Sequence, residues 1–132
     1  MSPDELRPIL TAYRKQVESA WSEATAHKKF AAKPGDPAGQ CGVTSAWLQR
    51  RLRADYGLGT VYYAGRVELN RSTIASHHCW LQNGPIVIDL TGSQYGLNEI
   101  VCGHRLDLIP DYQGRPGRRP LQRLKVLTEA LS

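Results

Sequence analysis

Two strand-like runs, His77–Leu81 and Ile86–Leu90, flank Gln82-Asn83-Gly84-Pro85. Asn-Gly between such runs signals a hairpin, because the tight turn needs positive φ, which Gly and Asn adopt at least cost. This feature constrains the fold most, since it sets two strands antiparallel and fixes which residues face one another. Pro85 has no N–H to give beside a two-residue turn, so the loop is either Asn83-Gly84 or the four residues Gln82–Pro85. Both loops share one centre. Both place His78 directly opposite Asp89, with Cβ atoms about 5 Å apart. Trp80 shares the face of His78. His77 turns to the other face, against Leu90. Cys79 turns there too, against Ile88, and is expected in the core.

The rest of the chain supplies helices. Ser2-Pro3-Asp4-Glu5 reads as a helix start, with Ser2 as cap, Pro3 at the first position and Glu5 completing a capping box. Leu6, Leu10, Tyr13, Val17, Trp21 and Ala24 follow at helical spacing, with Pro8 as a possible kink. Lys33 to Gln40 is a Pro/Gly-rich loop. A second helix runs from Cys41 to Tyr56 and stops at Gly57. Its apolar residues Val43, Ala46, Trp47, Leu48 and Leu52 cover more than a narrow stripe, so it is expected to pack on more than one side. Val61–Val67 is a third strand. Leu121, Leu124, Leu127 and Leu131 mark a last helix, started near Pro120. The order predicts an α+β fold on a small antiparallel sheet. At 132 residues the chain has the length of one domain.

Cys41 stands where a Gly-bearing loop, Gly39-Gln40-Cys41-Gly42, turns into a helix. A helix N-terminus offers unpaired N–H groups and the positive end of the dipole, and both stabilise a thiolate. Gly42 leaves room for a carbonyl to approach, and the Cys41 N–H is free to hold an oxyanion. A lone cysteine at such a place is as readily a packing residue. The His78–Asp89 pairing tips the balance. A carboxylate fixes the tautomer of the imidazole and leaves its other nitrogen as a base. Thr91 shares the face of Asp89 and is suited to bond the carboxylate, position substrate or form a turn. His27 and His104 are expected at the surface, and Cys102 in the core.

Other chemistries fit less well. Cys41, His77, His78 and Cys79 carry metal-donor atoms, but adjacent strand residues point to opposite faces and no Cys-x2-Cys or His-x3-His spacing is present. No Walker loop or dinucleotide fingerprint appears, so no cofactor is expected. Three cysteines and no secretory leader argue for free thiols in a cytoplasmic protein. No apolar run is long enough to cross a membrane. The net charge is +5, with Arg115, Arg118, Arg119, Arg123 and Lys125 clustered late. No nucleic-acid motif accompanies them, so a solvated basic face is expected there. The rival is a catalytically idle basic binding module using the same segment.

Gly39-Gln40-Cys41, His78-x-Trp80 and Asp89-x-Thr91-x-x-Gln94-Tyr95 together resemble the transglutaminase-like branch of the papain-like cysteine enzymes, and more closely the small bacterial YunG-like proteins. The resemblance spans about residues 39 to 95. It implies a nucleophile-bearing helix packed on an antiparallel sheet. Cys41 is then the nucleophile, His78 the base and Asp89 the orienter. Gln40, Gly42, Trp80, Thr91 and Gln94 become candidates for oxyanion or substrate positioning, with the Trp21 indole as an alternative donor. The glutamine that papain-like proteases carry several residues before the cysteine is absent. The expected activity is a thiol-dependent hydrolase (peptidase, amidase or deamidase) acting on a peptide, protein or small amide or ester. Transfer to an amine, as in transglutaminases, is the alternative.

Overall fold

The capping box at Ser2 closes in both directions, with Ser2 Oγ accepting the Glu5 N–H and Glu5 accepting the Ser2 N–H. It starts helix α1, Pro3–Glu18. Pro8 lies inside this helix on its exposed side, where one missing bond does not stop it. The helix ends before Trp21 and Ala24, so the spacing outruns the element; Trp21 is still buried, whereas Ala24 is exposed. Helix α2 spans Cys41–Tyr56 and is closed by Gly57 at φ 65°. Every residue from Gly42 to Leu48 is buried, so the helix is enclosed on several sides as its composition demands. Helix α3, Leu121–Ala130, turns Leu124 and Leu127 inward. This computed structural model describes residues 1–27, 35–70 and 73–132; Lys33 and Pro34 of the expected loop lie outside them.

The fold is α+β, with a five-stranded antiparallel sheet ordered β4-β3-β2-β1-β5. The strands are β1 Val61–Asn70, β2 Thr73–Asn83, β3 Ile86–Asp89, β4 Val101–His104 and β5 Asp111–Pro116. A 3-10 turn, Gly92–Tyr95, follows β3. Strands β4 and β5 were not anticipated. One has only four residues, and the other carries Gly114 and Pro116, which weaken strand signals.

The hairpin register differs from the expected one. The β2–β3 ladder closes at Asn83↔Ile86, so the loop is Gly84-Pro85 and Leu81, not Cys79, faces Ile88. Pro85 takes the second loop position, where its missing N–H costs nothing. Asn83 stays in the strand, its amide donating to the Gly59 carbonyl at 2.8 Å. The displacement is two residues, so His78 is not directly across from Asp89. An even slip nevertheless keeps every side chain on its face.

Each sheet face builds its own core. On one face, Tyr62, Leu81, Ile88 and Cys102 pack under the three helices, against Leu10, Val17, Leu48 and Leu124. On the other, Val67, Ala75, Trp80, Val87, Val101 and Tyr112 pack together beneath Tyr95, Leu97 and Leu108. The glycine pair Gly65↔Gly114 lets β1 and β5 approach over the Trp80 ring. A Cβ on Gly65 would lie 2.2 Å from the Gln113 carbonyl oxygen, and one on Gly114 would lie 2.7 Å from Trp80. Among the described residues no helix is long and apolar enough to cross a membrane. Gly65→Ala is expected to destabilise the fold by at least about 1–3 kcal/mol, the usual overpacking cost. Denaturant unfolding of the variant checks this, and an unchanged midpoint would contradict the tight β1–β5 approach.

Candidate active site

His78 and Asp89 meet despite the displaced register. His78 Nε2 lies 2.7 Å from Asp89 Oδ2, and both side chains are fully buried. Asp89 Oδ2 also accepts the Tyr112 hydroxyl at 2.7 Å. Asp89 Oδ1 accepts the Thr91 N–H at 2.9 Å and the Thr91 hydroxyl at 3.3 Å. Burial pushes the Asp89 carboxyl up, but His78, the Thr91 N–H and the Tyr112 hydroxyl outweigh it and hold the group below its ordinary range. Thr91 thus orients the carboxylate. Tyr112, on the unforeseen β5, went unnoticed because nothing local marks it.

The His78 ring lies 6.0 Å from Trp80, 5.1 Å from Tyr95 and 6.4 Å from Tyr112. The Trp80 indole donates to Gln82, so Trp80 is a packing partner of His78. Strand β3 pairs only with Leu81–Asn83 of β2. The stretch of β2 that carries His78 therefore has Tyr95 beside it, whose hydroxyl donates to the His77 carbonyl at 3.2 Å. His78 Nδ1 is buried and without a hydrogen-bond partner among the described residues.

Cys41 opens α2, as expected, but its near neighbour is a second thiol. Cys41 and Cys79 line one cavity and influence each other's titration, and the Tyr62 hydroxyl donates to Cys79 Sγ at 3.1 Å. Cys79 does face away from His78; that face is the one α2 covers. Cys79 packs against the helix-side core as expected, but it is only half-buried and also lines a cavity. Contact with Cys79, with burial adding to it, pushes the Cys41 thiol up. Contact with Cys41 pulls Cys79 down, helped by Tyr62, His78 and Arg123, against the effect of burial. The two sulfurs titrate as a unit. The Cys79 thiol is thus held below the ordinary range and the Cys41 thiol above it. Tyr62 and Arg123 favour the charge on Cys79, and the helix N-terminus favours it on Cys41.

The thiols lie in a cavity of about 730 Å³ whose wall includes Gly42, Gly65, His78, Gln94 and Tyr95. A Cβ on Gly42 would come within 3.1 Å of the Tyr62 hydroxyl and 3.5 Å of an Arg123 guanidinium nitrogen, so the wall depends on a missing side chain. Gln94 accepts the Gly39 N–H on Oε1 at 3.4 Å, which leaves Nε2 buried and unpartnered. Gln40 does not reach the cavity. Its amide donates to the Ser22 carbonyl and accepts from Thr25, so it holds the entry to α2. The Trp21 indole is spent on Thr44, at 2.8 Å. The basic segment is not merely a solvated face. Arg115, Arg118 and Arg123 line the cavity, and Arg123 Nε is buried without a partner among the described residues. His27 and His77 also border it from exposed positions. Among the described residues no three His, Cys, Asp or Glu side chains gather to hold a metal ion.

Arg14, on α1, fixes the segment that bears Thr91 and Gln94. Its buried guanidinium donates to the Leu90 carbonyl at 2.7 Å and to the Glu99 carbonyl at 3.3 Å, pairs with Glu18 at 3.0 Å and lies over Trp21.

Fold and cavity define an α+β protein with a helix-start dithiol beside a buried imidazole–carboxylate pair. The chain belongs to the YunG family, whose model, described as YunG protein, matches residues 10–131. No curated protein and no solved structure matches it.

Two outcomes are expected. Asp89→Asn should lower the unfolding free energy at neutral pH by about 3–5 kcal/mol, because it breaks a buried pair. With a depressed folded pKa, the wild-type advantage is full above the ordinary aspartate value and is lost as pH falls through the folded one. Urea unfolding at neutral and acid pH checks both, and an unchanged gap in acid would contradict it. Iodoacetamide alkylation against pH should show an inflection below about 8.5, the free-thiol value. Cys79→Ser should move the Cys41 inflection, and no movement would dissolve the coupling.

Proposed function

We propose that the protein is a thiol-dependent acyl hydrolase with Cys41 as nucleophile, His78 as base and Asp89 as orienter, built on a papain-like, transglutaminase-like core. The observation that carries this reading is the state of the His78 ring. One nitrogen is held by a fully satisfied carboxylate, and the other is buried and without a partner among the described residues beside a thiol-lined cavity. Buried polar atoms are nearly always paired, so a ring nitrogen facing a cavity without a protein partner is placed to meet water or substrate there. Cys41 sulfur attacks an amide or ester carbonyl carbon, and its proton passes to His78. The carbon–nitrogen or carbon–oxygen bond breaks as His78 protonates the leaving group. Water, deprotonated by His78, then cleaves the thioester. An amine in place of water gives acyl transfer. Gln94 Nε2 and the Cys41 N–H are the donors available to a developing oxyanion.

A second reading has an observation of its own. Cys41 and Cys79 line one cavity, which suits a dithiol that reduces a disulfide substrate by exchange: the substrate leaves as two thiols and a Cys41–Cys79 disulfide forms. Single substitutions separate the two readings. Electrophilic amide and peptide probes should label wild type at Cys41 and fail on Cys41→Ala. His78→Ala should slow acylation by on the order of 10²–10⁴, the usual worth of a positioned base. Cys79→Ser should retain acylation under the hydrolase reading and abolish turnover under the dithiol reading. Full acylation of His78→Ala would remove His78 from the mechanism.

A further inference from the structure

The thiol cavity has a one-sided charge. Arg115, Arg118 and Arg123 line it, and among the described residues no Asp or Glu does. None of the three makes an ion pair among the described residues, although carboxylates elsewhere pair with Arg7, Arg14, Arg51 and Arg66. Two donors in this region are buried and without a partner among the described residues, Arg123 Nε and Gln94 Nε2. An unpaired guanidinium at a half-buried position is costly unless an anion completes it. Arg123 comes within reach of Gly42, next to Cys41, and Arg115 and Arg118 stand at exposed positions of the same wall. That arrangement puts a half-buried guanidinium beside the residue that follows Cys41 and two exposed charges on the same wall. Guanidinium forks match the planar geometry of a carboxylate, and they also match phosphate.

We propose that the cavity selects substrates bearing an anionic group, a carboxylate or phosphate, close to the carbonyl that Cys41 attacks. This deepens the thiol-hydrolase reading and rests on it for the reaction, though not for the binding. An uncharged amide would leave Arg123 Nε unpaired in the bound state. An acidic substrate would pair it and gain affinity from all three charges, less so as salt rises.

Paired alkylating reagents test this without knowledge of the substrate. Iodoacetamide and iodoacetate place the same electrophilic carbon on a neutral and on an anionic carrier; the thiolate displaces iodide in both. Rates at Cys41 and Cys79 are read by mass spectrometry of the intact full-length chain. The ratio of iodoacetate to iodoacetamide rate, divided by the same ratio for a free cysteine peptide, should be about tenfold or more, as expected for a focused cationic cleft. Arg115→Gln with Arg118→Gln, both exposed, should bring that quotient toward one, and Arg123→Gln should lower it further. Succinate and inorganic phosphate, added as competitors, show which anion the site prefers. A quotient near one in wild type, with rapid reaction of iodoacetamide, overturns the anion site and leaves the thiol reading intact. Reaction with neither reagent at neutral pH removes the thiol reading instead. The anion site then stands or falls on thermal unfolding in succinate or phosphate against chloride at equal ionic strength. A rise that disappears in the Arg115→Gln, Arg118→Gln variant supports it, and no rise overturns it.

Discussion

A carboxylate sealed from water has to be answered by donors, and the lower half of this fold is arranged around that requirement. Asp89 receives His78 from β2, Tyr112 from β5 and Thr91 from the segment leaving β3. An unanswered charge at that depth would cost several kcal/mol. The three donors come from parts of the chain that share no local contact in sequence. The carboxylate therefore does more than hold one imidazole. It ties the far edge of the sheet to its centre, and it sets where the Gly92–Tyr95 turn begins. The second core, around Trp80 and Val87, closes over the same pair.

Much of this was legible in the sequence where the signals were local. The capping box at Ser2, the stop at Gly57 and the enclosed face of α2 each follow from a few adjacent residues. So does the Asn-Gly hairpin, and through it the shared face of His78 and Asp89. The register itself was not, because Asn83-Gly84 and Gly84-Pro85 compete for the turn and the choice depends on what Asn83 bonds, a carbonyl at Gly59. The error was harmless for His78 because it was even in length. Strands β4 and β5 escaped notice, since short runs with Gly and Pro gain their strand character only from the neighbours they pair with. Tyr112 was hidden with them.

The thiol partner was missed for a different reason. Alternation along β2 correctly turned Cys79 away from His78, but sequence spacing does not say which face a helix will cover. With α2 on the Cys79 face, Cys41 shares its cavity with a second sulfur, and the imidazole–carboxylate pair belongs to the opposite side of the sheet. Where β3 stops, the sheet no longer separates the two sides with a paired strand. The basic segment is solvated as expected except at Arg123, but its place beside the cavity was not legible. Arg115, Arg118 and Arg123 look like ordinary solubilising charges until β5 and α3 are folded against the entry to α2.

Arg14 carries one more implication. Its guanidinium spans from the first helix to the Leu90 and Glu99 carbonyls, so the order of the site segment is bound up with the order of α1. Proteins open locally in cooperative blocks rather than residue by residue. Here the block joins residues that are far apart along the chain, and fraying of an otherwise remote helix would release Thr91 and Gln94 together. The population of organised cavities would then follow the integrity of the amino-terminal helix, so that a lesion there is felt as a loss of competent molecules while each intact molecule keeps its full capacity.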